Sequence, residues 1–386
     1  MRTRLERLLA ERILVLDGAM GTMIQTYGLG EEDFRGDRFA SHPSPLKNFN
    51  ELLVLSRPDV IAEIHRAYFL AGADIVETDT FNANRLTMAN YGLEDRAFEF
   101  NRDAAALARK VADEVTAMNP ARPRFVAGSI GPTDKTASIS PKVSDPAYRG
   151  VSYDELVEAY REQVEGLMAG GVDILFPETS FDTLNMKACL FAIDACFEKA
   201  GTSLPVMISA TITDRAGRTL SGQTIEAFWH SVSHFDMLSV GINCALGATE
   251  MRPYVEALSG VAHCYLSCHP NAGMPDGFGN FSDSPEHMAE LVREFALNGW
   301  LNVVGGCCGS TPDYIRKIAD AVEGIPPRRR PERSTLSSYS GLEPYTIRPE
   351  TNFTMVGERT NITGSKKFAR LIRSGDYDQA LTVARE

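Results

Sequence analysis

Two adjacent cysteines, Cys307 and Cys308, lie in the run Gly305-Gly306-Cys307-Cys308-Gly309-Ser310-Thr311-Pro312. Neighbouring cysteines are too close for an unstrained disulfide, which leaves two buried apolar thiols, a redox pair, or two metal ligands aimed at one centre. The flanking glycines favour the third, because they let the backbone turn both sulfurs toward one point. A third thiol is available at Cys244, in Gly241-Ile242-Asn243-Cys244. Three convergent thiolates make a tetrahedral zinc site with its fourth position open, as in catalytic rather than closed structural sites. Spacing alone leaves the zinc and packing readings both standing. Cys264 and Cys268 fall on one side of a strand pattern with Leu266 between them and, with His269, read as buried packing residues rather than metal ligands, as do Cys189 and Cys196 on a helical pattern. Seven cysteines without a dense framework of spacings fit free thiols in a reducing, cytoplasmic compartment.

Acids form a second group. Asp17, in Asp17-Gly18-Ala19-Met20-Gly21-Thr22, and Glu178, in Glu178-Thr179-Ser180, are candidates to accept a substrate ammonium. The Gly18 amide and the Thr80 and Ser129 hydroxyls are candidates for a substrate carboxylate. Asp79 and Asp182 read as helix caps. Asn271, in Pro270-Asn271-Ala272-Gly273, either reaches the open coordination position or substrate, or simply forms a turn.

For these residues to act together, the fold must bring several strand ends to one place. Residues 152–171 (SYDELVEAYREQVEGLMAGG) open with a Ser-x-x-Glu capping box, keep apolar residues at helical spacing and stop at a glycine pair. Residues 56–71 follow the same grammar with Ser56-x-x-Asp59. An apolar strand follows each helix. Eight such strands are predicted, at 13–16, 74–78, 124–128, 173–177, 205–210, 237–242, 263–267 and 301–305. Continuous apolar strands alternating with amphipathic helices indicate a parallel sheet covered on both faces, and eight units point to an α/β fold of the (β/α)8 TIM-barrel type. A doubly wound open sheet is the alternative, but no Gly-x-Gly-x-x-Gly follows the first strand.

The reading divides 386 residues into a barrel (1–325), a Pro/Arg/Ser-rich linker (326–352) and the incomplete start of another domain (353–386). Thirty-nine Lys and Arg against 51 Asp and Glu give a net charge of -12, which argues against nucleic acid and anionic membranes as partners. No stretch of about 18 uncharged apolar residues could span a bilayer.

The motifs DGAMGT (17–22), ETDTFNAN (77–84), GSIGP (128–132), PETSFDT (177–183), GINC (241–244), PNAG (270–273) and GGCCGSTP (305–312) occur in this order. Together they resemble the homocysteine S-methyltransferase family and, within it, the N-terminal module of the cobalamin-dependent methionine synthases. VGERTNITGS (356–365) is similar to the opening of the methyltetrahydrofolate-binding domain of those enzymes. The resemblance implies one zinc per chain on Cys244, Cys307 and Cys308, homocysteine as substrate, and methionine as product. It also implies methylcobalamin as methyl donor, held by a domain outside this chain, with cobalamin- and folate-binding domains as partners in a longer enzyme. Two alternatives stand beside it: a homocysteine- and zinc-binding module with no turnover alone, and a corrinoid-independent methyltransferase using betaine or S-methylmethionine.

Overall fold

The structure is a computed structural model that describes residues 1–213, 216–276, 281–354 and 360–385. It divides into two compact units, Met1–Tyr345 and Thr346–Glu386. Eight parallel strands form the centre of the first: β1 (Leu14–Val15), β2 (Ile75–Glu77), β3 (Phe125–Ile130), β4 (Ile174–Pro177), β5 (Met207–Ala210), β6 (Ser239–Gly247), β7 (Tyr265–Asn271) and β8 (Val303–Val304). Each lies on or within two residues of a predicted segment, except that β6 and β7 run on beyond their predicted ends. The strands pair as β1-β8-β7-β6-β5 and β2-β3-β4. Parallel bridges from Leu16 to Ile75 and from Leu175 to Val206 join the two sets and close the barrel in chain order.

Helix α1 (Arg2–Glu11) precedes the barrel, and α2 (Pro58–Ala71), α3 (Ala97–Met118), α4 (Tyr153–Gly170), α5 (Thr183–Ala200), α6 (Ile225–Val232), α7 (Ala248–Val261), α8 (Pro285–Leu297) and α9 (Pro312–Val322) follow successive strands. The capping box of α4 is formed, with Glu155 N donating to Ser152 Oγ at 3.2 Å and Ser152 N to Glu155 Oε2 at 2.8 Å. The box expected at Ser56 is not. Ser56 ends the preceding turn and its hydroxyl donates back to Leu52 O, while Pro58 starts α2 with no side-chain cap. Proline's fixed φ and missing N–H suit the first helical position, so Pro58 decides the start.

The strands carry a repeated device at their beginnings. Asp74, Asp173 and Asn302 each precede a strand and accept a hydrogen bond from a neighbouring strand's N–H, from Val15, Val126 and Leu266 at 3.0, 2.9 and 2.9 Å. Asp74 has no exposed side-chain surface and is ion-paired to Arg12, Arg122 and Arg124 at 2.7, 3.0 and 3.7 Å. Inside the barrel, Leu14, Leu16, Ile75, Phe125, Ile174, Phe176, Met207 and Val303 pack with Leu5 and Leu9, so α1 plugs the N-terminal end. Two residues further along the same strand faces the inward side chains turn polar, with Ser129 after Phe125 and Ala127, and Glu178 after Ile174 and Phe176. A dry floor therefore carries a polar upper layer at the C-terminal ends of the strands.

The segment read as a linker packs on the barrel over its first twenty residues. Arg328 is buried and donates to Cys264 O, Ser259 O and Ala262 O at 2.9, 2.7 and 2.5 Å. Ser340 Oγ donates to Ala227 O, and Thr224 N donates to Leu342 O. Periodicity could not show this, because the segment docks by hydrogen bonds rather than by an apolar face. The second unit holds two helices, α10 (Lys366–Ser374) and α11 (Tyr377–Arg385), packed through Phe368, Ala380 and Val383. Residues 356–359 of VGERTNITGS lie outside the described residues. No helix among the described residues is long and apolar enough to cross a membrane.

Candidate functional site

The C-terminal ends of the strands surround a cavity of about 480 Å³ that Asp17, Gly18, Glu77, Asp79, Ser129, Glu178, Asn243, Cys244, His269, Cys307 and Cys308 help to line. Cys307 and Cys308 sit on a turn built from backbone hydrogen bonds. Cys307 N donates to Pro270 O at 2.8 Å, Ala272 N to Cys308 O at 2.9 Å, and Ser310 N to Cys307 O at 3.0 Å. A Cβ at Gly306 would come within 2.2 Å of Ser310 Oγ, and Gly309 has a φ of +82° with Phe281 against it, so both positions require glycine. Cys244 arrives by a different route. The pairing of β6 with β7 shifts register between Asn243 and Gly247, and Cys244 and Ala245 both take a φ of 61°, a conformation that L side chains rarely adopt. The bulge turns the sulfur toward the β8 turn.

The three sulfurs lie within 4.8 Å of one another, with Cys244 Sγ and Cys308 Sγ 3.8 Å apart. A tetrahedral zinc with Zn–S bonds of about 2.3 Å would separate its sulfurs by about 3.8 Å, so the donor set fits the ion in type and spacing. Hydrogen bonds from Cys244 and then Cys307 pull the Cys308 thiol down to about 3. Hydrogen bonding to Cys244 and then Cys308 pushes Cys307 well above the usual thiol range. Cys244, drawn down by Cys307 but up by Cys308 and burial, stands at about 11. The three thiols share their protons unequally, and three sulfur donors gathered at one point suit a soft cation. Cys189, Cys196, Cys264 and Cys268 are free and buried, and take no part in the cavity.

Three carboxyls face the sulfurs. Glu77 N donates to Asp17 Oδ2 at 3.1 Å, and Asp17 Oδ1 is buried without a partner. Burial, opposed by the Glu77 amide and assisted by Glu178, raises Asp17 well above the ordinary carboxylate range. Burial and then the charges of Glu178 and Asp17 do the same to Glu77. Burial also raises Glu178, against hydrogen bonds from Glu77 and Ser129. Acids crowded in a buried wall favour their neutral forms over full ionisation, and a cation bound among them reverses that preference.

The other expected site residues divide. Gly18 and Ser129 line the cavity, and Ser129 Oγ donates to Glu178 Oε1. Thr80 does not line it; its hydroxyl is fully buried and donates to Ser129 O at 2.7 Å, supporting the wall from behind. Asn271 is buried on β7 with Oδ1 unpartnered, and is not among the lining residues. Asp182 caps α5 through Leu184 N, as expected. Asp79 caps nothing: it is buried in the cavity wall with Oδ2 unpartnered, and burial followed by Glu51 raises it. His269, expected to pack, lines the cavity with both ring nitrogens unpartnered, and burial lowers it to about 3, so it is neutral. Glu77, from the ETDTFNAN run, lines the cavity together with Glu51 and Asn243, three residues to which the sequence assigns no role. Glu77 shares its strand's inward face with Ile75, a period-2 signal that was available in the sequence.

The sequence model of the family described as Homocysteine S-methyltransferase matches residues 14–322. Among solved structures, the metallated form of the homocysteine methyltransferase MmuM from Escherichia coli has a TM-score of 0.62 and 23% identity over 80% of this chain and 96% of that one. Its oxidized form gives 0.62 and 24% over 80% and 95%, and its apo form 0.58 and 22% over 80% and 96%. At these identities the likeness is one of fold.

Proposed function

Because the chain belongs to the homocysteine S-methyltransferase family, we propose that it methylates the sulfur of homocysteine in this cavity, with Cys244, Cys307 and Cys308 holding a zinc ion. The observation that carries the reading is the convergence of three thiols and the carboxyls of Asp17, Glu77 and Glu178 on one cavity. Zinc held there supplies Lewis-acid chemistry, keeping the substrate sulfur as thiolate at neutral pH, where a free thiol is only about 3% ionised. Asp17, Glu77 and Glu178 form the wall that accepts the substrate ammonium, whose single positive charge favours ionisation of a carboxyl beside it. The Gly18 amide is the donor for the substrate carboxylate, Ser129 orients Glu178 through its hydroxyl, and the apolar floor under them excludes water. The thiol loses its proton, the sulfur gains a methyl group, and the donor leaves with the electron pair of its bond to that methyl.

Two donors have support. Methylcobalamin carried by another domain is supported by the likeness of residues 356–365 to a folate-domain opening, and would place cobalamin- and folate-binding partners beside the barrel. Transfer without a corrinoid, from betaine or S-methylmethionine, is supported by the matched structures, a homocysteine methyltransferase that this chain covers almost completely. The seven free thiols support a cytoplasmic setting. Methionine formation from homocysteine, measured with each donor in turn, tests the proposal. Turnover with one donor that requires zinc and the three thiols is expected and identifies that donor; homocysteine binding without turnover on any of them would reduce the chain to a binding module.

A further inference from the structure

Asn243 precedes the ligand Cys244 on β6, is 1% exposed, and reaches across the upper layer of the barrel. Its Oδ1 accepts from Thr179 N at 3.0 Å and Ser209 Oγ at 2.7 Å. A backbone N–H can only donate, so the oxygen of the amide must face Thr179 N, and the amide nitrogen must face the other way. On that side Nδ2 lies 2.7 Å from Thr179 Oγ1, 3.3 Å from Glu178 Oε2 and 3.9 Å from Cys307 Sγ. One amide hydrogen goes to the threonine, and the second lies between a carboxylate and a sulfur. The same side chain therefore ties the β4 end, where Thr179 has a φ of 56°, to the bulge of β6, where Cys244 has a φ of 61°.

We propose that Asn243 is a positioning residue that sets the distance between the metal-binding sulfurs and the ammonium acceptor by hydrogen-bonding Cys307 and Glu178 from one amide. Three carbons join the sulfur of homocysteine to its nitrogen and bound their separation, so a large shift of either receptor weakens one of the two attachments. The N–H to Cys307 Sγ also withdraws charge from that ligand, as hydrogen bonds to metal-bound sulfurs do. The inference rests on the reading of the cavity as a homocysteine site.

The test uses the full chain, wild type and Asn243→Ala, with Ser209→Ala as a control that removes a donor to Oδ1 and leaves the amide nitrogen's partners in place. Calorimetry of homocysteine binding to the zinc-loaded proteins, KM and kcat with the working methyl donor, and the thiolate-to-metal charge-transfer band after cobalt(II) replaces zinc are the readouts. Asn243→Ala should weaken homocysteine binding about 10- to 100-fold and shift the band to longer wavelength, whereas Ser209→Ala should leave the band in place. A folded Asn243→Ala with wild-type affinity and band overturns the inference. Should that variant fail to fold, Asn243→Ser, whose hydroxyl is too short to reach the sulfur, is read the same way; failure of both to fold would make the role structural and also overturn it. Wild-type protein that takes up no homocysteine refutes the proposed function, whereas binding that is unchanged in Asn243→Ala refutes the positioning role alone.

Discussion

Burial raises Asp17, Glu77 and Glu178 above the ordinary carboxylate value, and the charge of neighbouring acids adds to the rise at Asp17 and Glu77. A carboxyl raised on folding binds its proton more tightly in the folded state, so stability falls as pH climbs from the unfolded value through the folded one. Glu77→Gln removes one such group. Its melting temperature should exceed wild type by about 2 °C or more at pH 8, with little difference near pH 4, while homocysteine binding weakens about tenfold or more from loss of a charge-assisted contact. Thermal scans at the two pH values and calorimetry check both halves; a variant less stable than wild type at pH 8 would contradict the raised carboxyls. At this scale the sequence displayed chemistry but not aim. The Cys-Cys pair between glycines pointed to convergence, and the sulfurs do converge. Asp79 is not the cap its position suggests, because a cap looks the same in sequence as a group left unpartnered in a cavity wall; His269 is buried against Phe176 as expected and lines the cavity as well. Asn243 was overlooked because its importance lies in two neighbours, Thr179 and Ser209, more than thirty residues away.

The strands and helices were legible because a closed parallel barrel repeats one pattern, and even the acids before β2 and β4 recur. Asp74 shows what that repetition does. Burial pushes its carboxyl up, but hydrogen bonding and charge from Arg12, with the charge of Arg122, hold it below the usual carboxylate range. Its contribution to stability is present above the unfolded value and is lost as pH falls through the folded one. Asp74→Asn leaves the buried side of Arg124 and its neighbours uncompensated, and should cost about 3 kcal/mol in denaturant unfolding at pH 7, narrowing below pH 4. Because the cluster lies at the N-terminal end of the barrel, homocysteine affinity of the folded variant should stay within about twofold of wild type. Where the reading failed at this scale, a local rule was outweighed by another: Pro58 overrode the Ser56 cap, and Arg328 anchored a stretch whose composition suggested a free linker.

For the whole molecule, the boundary that matters physically falls near Tyr345 rather than residue 325. A chain ending at 325 loses Arg328 and with it the donor to the buried carbonyls of Cys264 and Ala262 and the part-buried one of Ser259, each buried one costing about 1–3 kcal/mol. It should therefore melt several degrees below a chain ending at 345, and equal melting temperatures would show that the strap contributes nothing. Composition revealed an acidic protein with free thiols, but not this docking, since hydrogen bonds to backbone carbonyls leave no periodic trace. Homocysteine activation at this site requires Cys244, Cys307 and Cys308 to act as one metal centre, which zinc analysis of purified wild-type protein beside Cys308→Ser tests directly. About one zinc per chain in the wild type and a clear loss in the variant is the predicted result; full zinc occupancy in Cys308→Ser would contradict the central claim.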